Sequence, residues 1–429
     1  MSIDAVASHL PKIWPSRIFY GWAIVYASFF ISIAQVPMYG PVFSVFVKPI
    51  EDEFGWSRST ITIAFTIGSI GGSILSALIG VILDRYGARL VTVFAGVAVA
   101  VSLFCVAIMT EPWHFWVSYG VARSAALAGV SLGTSVAIAN WFIRNRGRAT
   151  AIRAMGQRGG QALMPLLIMP ILVLLGWRES FAVFSVVALL LITLPAFFFI
   201  RRRPEDYGLK PDGVELDIEG EAPQTDEFSW SLKQVRKTRA LWMITIGMSA
   251  GIAAQIAINV HAVANFQDLG MAESLSITVA SLFTGIAALS MIGWGLLLDR
   301  MHVRYVSMIS MALFIISMSI LLLAGSSFYM AFIFAIIFGL ATGGWTVSQM
   351  VMIPNYFGRM HAGSIKGFIS PIEGTVGISG PLIAAFIFDE YGSYDLAFYG
   401  AIGAFTIGLI SFYFAKPLDS SKTVRVMPS

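Results

Sequence analysis

An all-α membrane protein, with 12 transmembrane helices in two pseudo-symmetric six-helix halves, is the fold class predicted by three observations: the composition, the long apolar runs and an internal repeat. Charged residues are 12% of the 429 and hydrophobic ones 57%, with a mean hydropathy of +0.78. A soluble globular chain carries about a quarter charged residues, so most of this chain's surface does not face water.

The net charge of +4 comes from basic residues in short clusters between apolar runs. That is the pattern membrane topology produces, and nucleic acid is not an expected partner. Cys105 is the only cysteine. Neither an intrachain disulfide nor a cysteine metal site can form, and a small buried filler is its plain reading. No metal and no cofactor is expected. The first long apolar stretch starts near Tyr20 and is long enough to span, so no cleavable signal peptide is expected.

A span needs about twenty mostly apolar residues. Twelve windows meet this requirement: 20–47, 59–83, 90–109, 113–142, 148–175, 181–200, 241–263, 275–298, 303–324, 328–353, 364–388 and 396–415. If the N-terminus is cytoplasmic, Lys and Arg concentrate on that side, from Lys12 and Arg17 through Arg201 to Arg203 and on to Lys422 and Arg425. The opposite side holds only Lys48, Arg58 and Arg178. Both termini are therefore expected in the cytoplasm.

The longest polar stretch, 201–238, carries Pro204, Pro211, Gly213, Pro223 and many acids, the composition of a solvated linker. It separates an N-terminal half, 1–200, from a C-terminal half, 239–429. Landmarks recur between the halves. Asp84-Arg85 returns 215 positions later as Asp299-Arg300, and Trp141-Phe142 as Tyr356-Phe357; Gly176-Trp177-Arg178 is echoed one residue out of register by Gly392-Ser393-Tyr394. A duplicated unit is one way carriers build a machine with a midplane site between halves.

The run Gly80-Val-Ile-Leu-Asp84-Arg85-Tyr86-Gly87-Ala88-Arg89, between spans two and three, resembles the cytoplasmic loop signature of the major facilitator superfamily. Its glycines permit close helix approach and a tight turn, while Asp84 can pair with basic residues or a helix N-terminus, so the loop can latch one conformation. Asp84, Arg85 and Arg89, with their echoes Asp299 and Arg300, are the expected gating residues. Within that superfamily the chain resembles monocarboxylate porters and oxalate/formate-type antiporters. The resemblance rests on Phe19-Tyr20-Gly21-Trp22, Glu53 to Arg58, Trp141-Phe142 with Arg146-Gly147-Arg148, Gly176-Trp177-Arg178, Arg203 to Leu209, Tyr356 to Arg359, Gly380-Pro381 and the stretch from Asp389 to Tyr394. Porters of this type resemble one another in an Asp and an Arg one turn apart in span eight. Here 280–298 has no charge, so their lactate-like mechanism does not carry over.

Ionisable residues inside spans are expensive and usually face a cavity or a partner. Arg123 in span four and Arg158 in span five each lie about ten residues deep, roughly 15 Å, where the two could meet as a substrate site or gate, or serve a structural pair or cap. Arg153 is shallower, where a long side chain can reach the headgroups, and Gln157 and Gln161 continue its face. Lys366, just inside span eleven, reads as snorkelling or gating; oxalate carriers, by resemblance, place a substrate-binding Lys in that span. Glu373 stands 215 positions after Arg158, at equivalent depth in the other half, which suggests facing sides of one cavity and makes it the proton-coupling candidate. Gln35 and Tyr39 in span one, Asn259 in span seven, and Trp345 and Gln349 in span ten complete the candidate substrate-binding set. Each of these polar groups also has a plain helix-packing reading, and His261 an interfacial one.

Two buried arginines with one carboxylate make an electropositive cavity, and guanidinium forks match carboxylates. The expected function is secondary transport of small organic anions, mono- or dicarboxylates, by proton symport or exchange. The alternatives are an exporter of lipophilic compounds and a transporter-like sensor. No constellation for an enzyme stands out. The expected setting is a bacterial inner membrane, with the lipid bilayer as surroundings and the monomer as the working unit.

Overall fold

With no water at the bilayer core, backbone N–H and C=O groups must bond within their own segment, which favours helices. The computed structural model describes residues 18–213, 229–324 and 327–418, and among them there is no strand. Lys12, Arg17, Lys422, Arg425 and the 214–228 stretch of the predicted linker lie outside the described residues.

Ten described helices are long and apolar enough to cross a membrane. Spans two to four are Arg58–Tyr86, Ala88–Ala107 and Pro112–Trp141; span six is Trp177–Phe199; spans seven to nine are Arg239–Asp268, Thr278–Leu298 and Val303–Leu323; spans ten to twelve are Phe328–Phe357, Ala362–Tyr391 and Asp395–Phe414. Span five, Arg146–Leu175, bends by 45° between Met164 and Leu167.

Span one departs from the continuous helix predicted over 20–47. It is a helix at Gly21–Ala34, a 3-10 turn at Val36–Met38 and a second helix at Gly40–Phe54. Pro37 sits in the turn, Tyr39 has extended backbone (φ −105°, ψ 156°) and a second proline opens the next helix, so the regular ladder cannot run through. Span four contains a π-helical turn, Ala126–Ser131.

The described chain forms two compact units, and the division does not follow the linker alone. Phe357–Pro371 belongs with the unit that holds Met1–Trp230, while the other unit comprises Ser231–Tyr356 and Ile372–Thr423.

In the first unit, spans one and five meet through Gly156 and Gly160. A Cβ at Gly156 would lie 2.6 Å from the Phe29 carbonyl oxygen, and one at Gly160 would lie 2.7 Å from Val36 Cγ2. This small-xxx-small spacing lets backbones touch where burial of apolar surface cannot drive association.

The repeated landmarks have a common physical role inside their own units. Trp141 Nε1 donates to the Arg201 carbonyl at 3.1 Å, and its counterpart Tyr356 donates to the Ala415 carbonyl at 2.6 Å. Each ring thus satisfies an end carbonyl of the last span of its half. At the opposite end, Glu53 accepts from Trp177 Nε1 at 2.6 Å and Arg178 Nη2 at 2.8 Å, tying span one to span six.

Gly156→Ala should destabilise the protein by about 1 to 3 kcal/mol, because the atom it meets is backbone and cannot rotate away. Gly159→Ala, three residues on with nothing within 4 Å of its Cβ, should not. Thermal unfolding of both purified variants in detergent checks this, and equal midpoints would refute the packing role.

Candidate functional site

The break in span one frees backbone carbonyls at membrane depth, and span four answers them. Tyr119 donates its hydroxyl to the Pro37 carbonyl at 3.2 Å, and the Arg123 guanidinium donates to the Met38 carbonyl. Arg123 Nε also donates to Ser69 Oγ at 2.9 Å, and its guanidinium lies 3.5 Å from the Phe65 ring centre. Arg123 is buried. It braces the break as well as charging its surroundings.

Arg153 does not snorkel. It is 1% exposed, donates Nε to Thr134 Oγ1 at 2.9 Å, and places Nη2 at 3.0 Å from both the carbonyl and the hydroxyl of Ser131. A long cation can stay buried when hydroxyls and a carbonyl replace its water. Ser131 ends the π-helical turn, where a widened helix turns a carbonyl outward. The Arg123 guanidinium lies 6.0 Å from the Tyr39 ring centre.

Gln157 and Arg158 stand between the two packing glycines of span five. Gln35, the last residue before the turn, is fully buried, and neither of its carboxamide atoms has a hydrogen-bonding partner among the described residues. Gln157 Oε1 is also buried without one. Such groups keep donor and acceptor capacity for a polar ligand or water.

In the second unit the predicted residues are less gathered. Trp345 is fully buried, with Phe412 5.8 Å away and its ring against Gly251. Gln349 is half-buried and Glu373 is buried, whereas Asn259 is exposed. His261 bonds the Tyr394 hydroxyl and the Pro381 carbonyl, both at 3.1 Å.

Of the two partners open to Asp84, the structure shows the helix N-terminus. Oδ1 accepts from the Gly363 amide at 3.0 Å, and Oδ2 accepts from the Ser364 amide at 2.8 Å and its hydroxyl at 2.5 Å. Asp84 thus caps span eleven from span two, where orphan N–H groups and the helix dipole favour an anion. Glycines make the approach possible: a Cβ on Gly80 would run into the Gly363 carbonyl, and one on Gly367 into the Ser76 carbonyl. Arg85 is exposed, with its guanidinium 5.3 Å from the Tyr86 ring centre, and Arg89 lies 4.6 Å from that of Phe197. Lys366, on the same stretch of span eleven as Gly363, is half-buried.

The opening of the linker is not a free solvated segment. Asp212 accepts from the amides of Ile143, Arg144 and Asn145 at 2.8, 2.7 and 2.9 Å, at the start of span five. Arg359 donates to the Asn140 carbonyl at 2.6 Å and pairs with Glu205. Sequence reasoning missed Ser69, Tyr119, Ser131, Thr134 and Asp212; the two prolines of span one were the available signal for the break they serve.

The second-half echo does different work. Asp299 ends span eight as its C-cap, Arg300 is exposed, and His302 Nδ1 accepts from the Arg304 amide at 3.2 Å. Arg304 in turn donates Nε to the Phe412 carbonyl at 2.9 Å.

The family model for the Major Facilitator Superfamily matches residues 23–266 and 257–428. The chain belongs to this superfamily. It is 22% identical to human monocarboxylate transporter 7 over 455 residues, covering 93% of this chain and 86% of that one. It is 26% identical to the hexuronate transporter of Bacillus subtilis over 400 residues, covering 86% and 89%. Among solved structures, the transporter FucP in its outward conformation superposes with a TM-score of 0.73 at 13% identity, covering 92% and 98%.

Two outcomes follow from these contacts. Asp84→Asn keeps one acceptor but loses the charge at the helix N-terminus, at a cost of about 1 to 2 kcal/mol. In a background lacking Cys105, the maleimide labelling rate of a Ser76→Cys variant should then rise about tenfold. An unchanged rate would mean that the cap does not hold spans two and eleven together.

The second concerns pH. Burial, and the charge of Arg304, push the His302 imidazole below its usual value. The unfolded chain therefore binds the extra proton first, and the stability carried by neutral His302 is present above pH ~6.5 and lost as pH falls below it. His302→Gln should flatten the dependence of the unfolding midpoint on pH between about 5 and 7. An equally steep dependence in the variant would assign it to another group.

Proposed function

We propose that this protein is a secondary transporter of small organic anions, mono- or dicarboxylates, working by alternating access with proton symport or anion exchange. The observation that carries the proposal is that spans four and five hold Arg123, Arg153 and Arg158 within the membrane, with Arg123 bonded at the break of span one and Arg153 buried on Ser131 and Thr134. Acidic residues of spans one to six stand only at the span ends: Glu51, Asp52, Glu53, Asp84 and Glu179. The membrane interior of this half is thus electropositive, and a carboxylate is the chemistry that suits it.

Arg158 is assigned to the anion, with Gln35, Gln157 and Tyr39 completing its polar contacts. Arg123 holds the turn that precedes Tyr39, and Arg153 is held by Ser131 and Thr134. Glu373, the acid buried within span eleven, is assigned the coupled proton. The basic residues support a cytoplasmic position for both termini.

Uptake of labelled carboxylates into proteoliposomes, with and without an imposed pH gradient and internal counter-substrate, tests the reading. Arg158→Gln should weaken anion binding more than tenfold, since a charge-assisted bond is worth about 1.5 to 3 kcal/mol, and Arg158→Lys should recover part of it. Glu373→Gln should abolish pH-driven accumulation while retaining exchange between equal pools. Undiminished binding in a folded Arg158→Gln protein would overturn the anion site, and pH-driven accumulation by Glu373→Gln would reassign the proton.

A further inference from the structure

An apolar groove of about 880 Å³ runs along the first unit between spans two, three and four. Its walls include Ile67, Leu75, Tyr86, Phe94, Trp113 and Trp116. From Ile67 to Tyr86 along span two the groove extends roughly 28 Å at 1.5 Å per residue, close to the hydrocarbon thickness of a bilayer. Phe94 is 71% exposed and Trp113 58%, so these rings stand out as ridges rather than packing inward. The volume lies within the range of about 300 to 1,000 Å³ that holds a small-molecule ligand.

Its two ends differ. At one end Trp113 and Trp116 occupy the start of span four, as indole rings do at headgroup level. At the other, Tyr86 lines the groove and Arg85 is exposed with its guanidinium over the Tyr86 ring. The neighbouring acid, Asp84, is committed to the amides of Gly363 and Ser364. Among the described residues no carboxylate bonds Arg85, so its charge stands at the mouth of an apolar channel that enters the membrane.

We infer that this groove is a binding site for an anionic phospholipid, with acyl chain along spans two to four and phosphate at Arg85. The pairing of one cation at the membrane face with a long uncharged groove matches an anionic amphiphile. A helix of a second copy would meet projecting Phe94 and Trp113 rings instead of a small-residue seam, and would offer Arg85 no counter-charge by itself. Because the Arg85 end adjoins the Asp84 cap, the lipid would act on the latch from the membrane side.

The test is titration of the purified, delipidated full-length protein with phosphatidylglycerol and phosphatidylcholine of identical chains, read by native mass spectrometry and by the thermal midpoint. One arginine near the surface is worth about 1 kcal/mol toward an anionic lipid, so phosphatidylglycerol should bind about fivefold more tightly. Arg85→Gln should erase that preference while leaving binding of phosphatidylcholine unchanged. Ala98→Phe, which fills the groove, should weaken both lipids in a protein that still unfolds cooperatively. Glycerol phosphate at equal concentration should not raise the midpoint, since it lacks the chains. Equal affinity for the two lipids, a preference that survives Arg85→Gln, lipid binding indifferent to Ala98→Phe, stabilisation by glycerol phosphate alone, or a second protein copy in place of lipid would each overturn the proposal.

Discussion

A backbone carbonyl left without a donor in hydrocarbon costs several kcal/mol, and the break in span one creates such carbonyls in the middle of a membrane helix. Most of the first unit's polar interior answers that cost. Tyr119 and Arg123 satisfy Pro37 and Met38. Tyr39 opens the second helix beside Arg123, and the hydroxyl and carbonyl of Ser131 hold Arg153. The arginines that give this half its charge are thus part of what makes the broken span stable.

The same requirement explains the Asp84 cap. A helix that starts inside a packed region exposes amides with no intrahelical partner, and an aspartate from another span takes two of them at the start of span eleven. A link of this kind is conditional in a way that a packed apolar face is not. Water can replace it when the helices separate, so it suits a contact made in one conformation and broken in another. Asp212 takes three amides of the loop that leads into span five. The linker therefore takes part in the same set of helix-end contacts.

The duplication is kept where it serves backbone satisfaction and lost where it would serve a site. Trp141 and Tyr356 differ in chemistry but share the task of donating to an end carbonyl. Asp84 and Asp299 are the same residue type at matching positions, yet one caps another helix and the other ends its own. The charges at membrane depth are likewise unequal, with arginines in spans four and five and a glutamate in span eleven.

The sequence by itself determined the fold class and the family, because hydropathy and loop landmarks are local properties of the chain. It also picked out Arg123, Arg153, Arg158, Glu373 and Asp84, because a charge in an apolar run is visible without coordinates. Only the tertiary structure decided what each charge does. Arg153 sits at a depth from which it could have reached the headgroups; Ser131 and Thr134, on another helix, supply the bonds that keep it buried. Asp84 could have met a cation or a helix end, and the choice depended on Gly80 and Gly363 letting two backbones touch. The break in span one was written in Pro37, but its closure by Tyr119 and Arg123 was not, since hydrogen bonds between residues some 80 positions apart follow from packing and leave no period or motif in the chain.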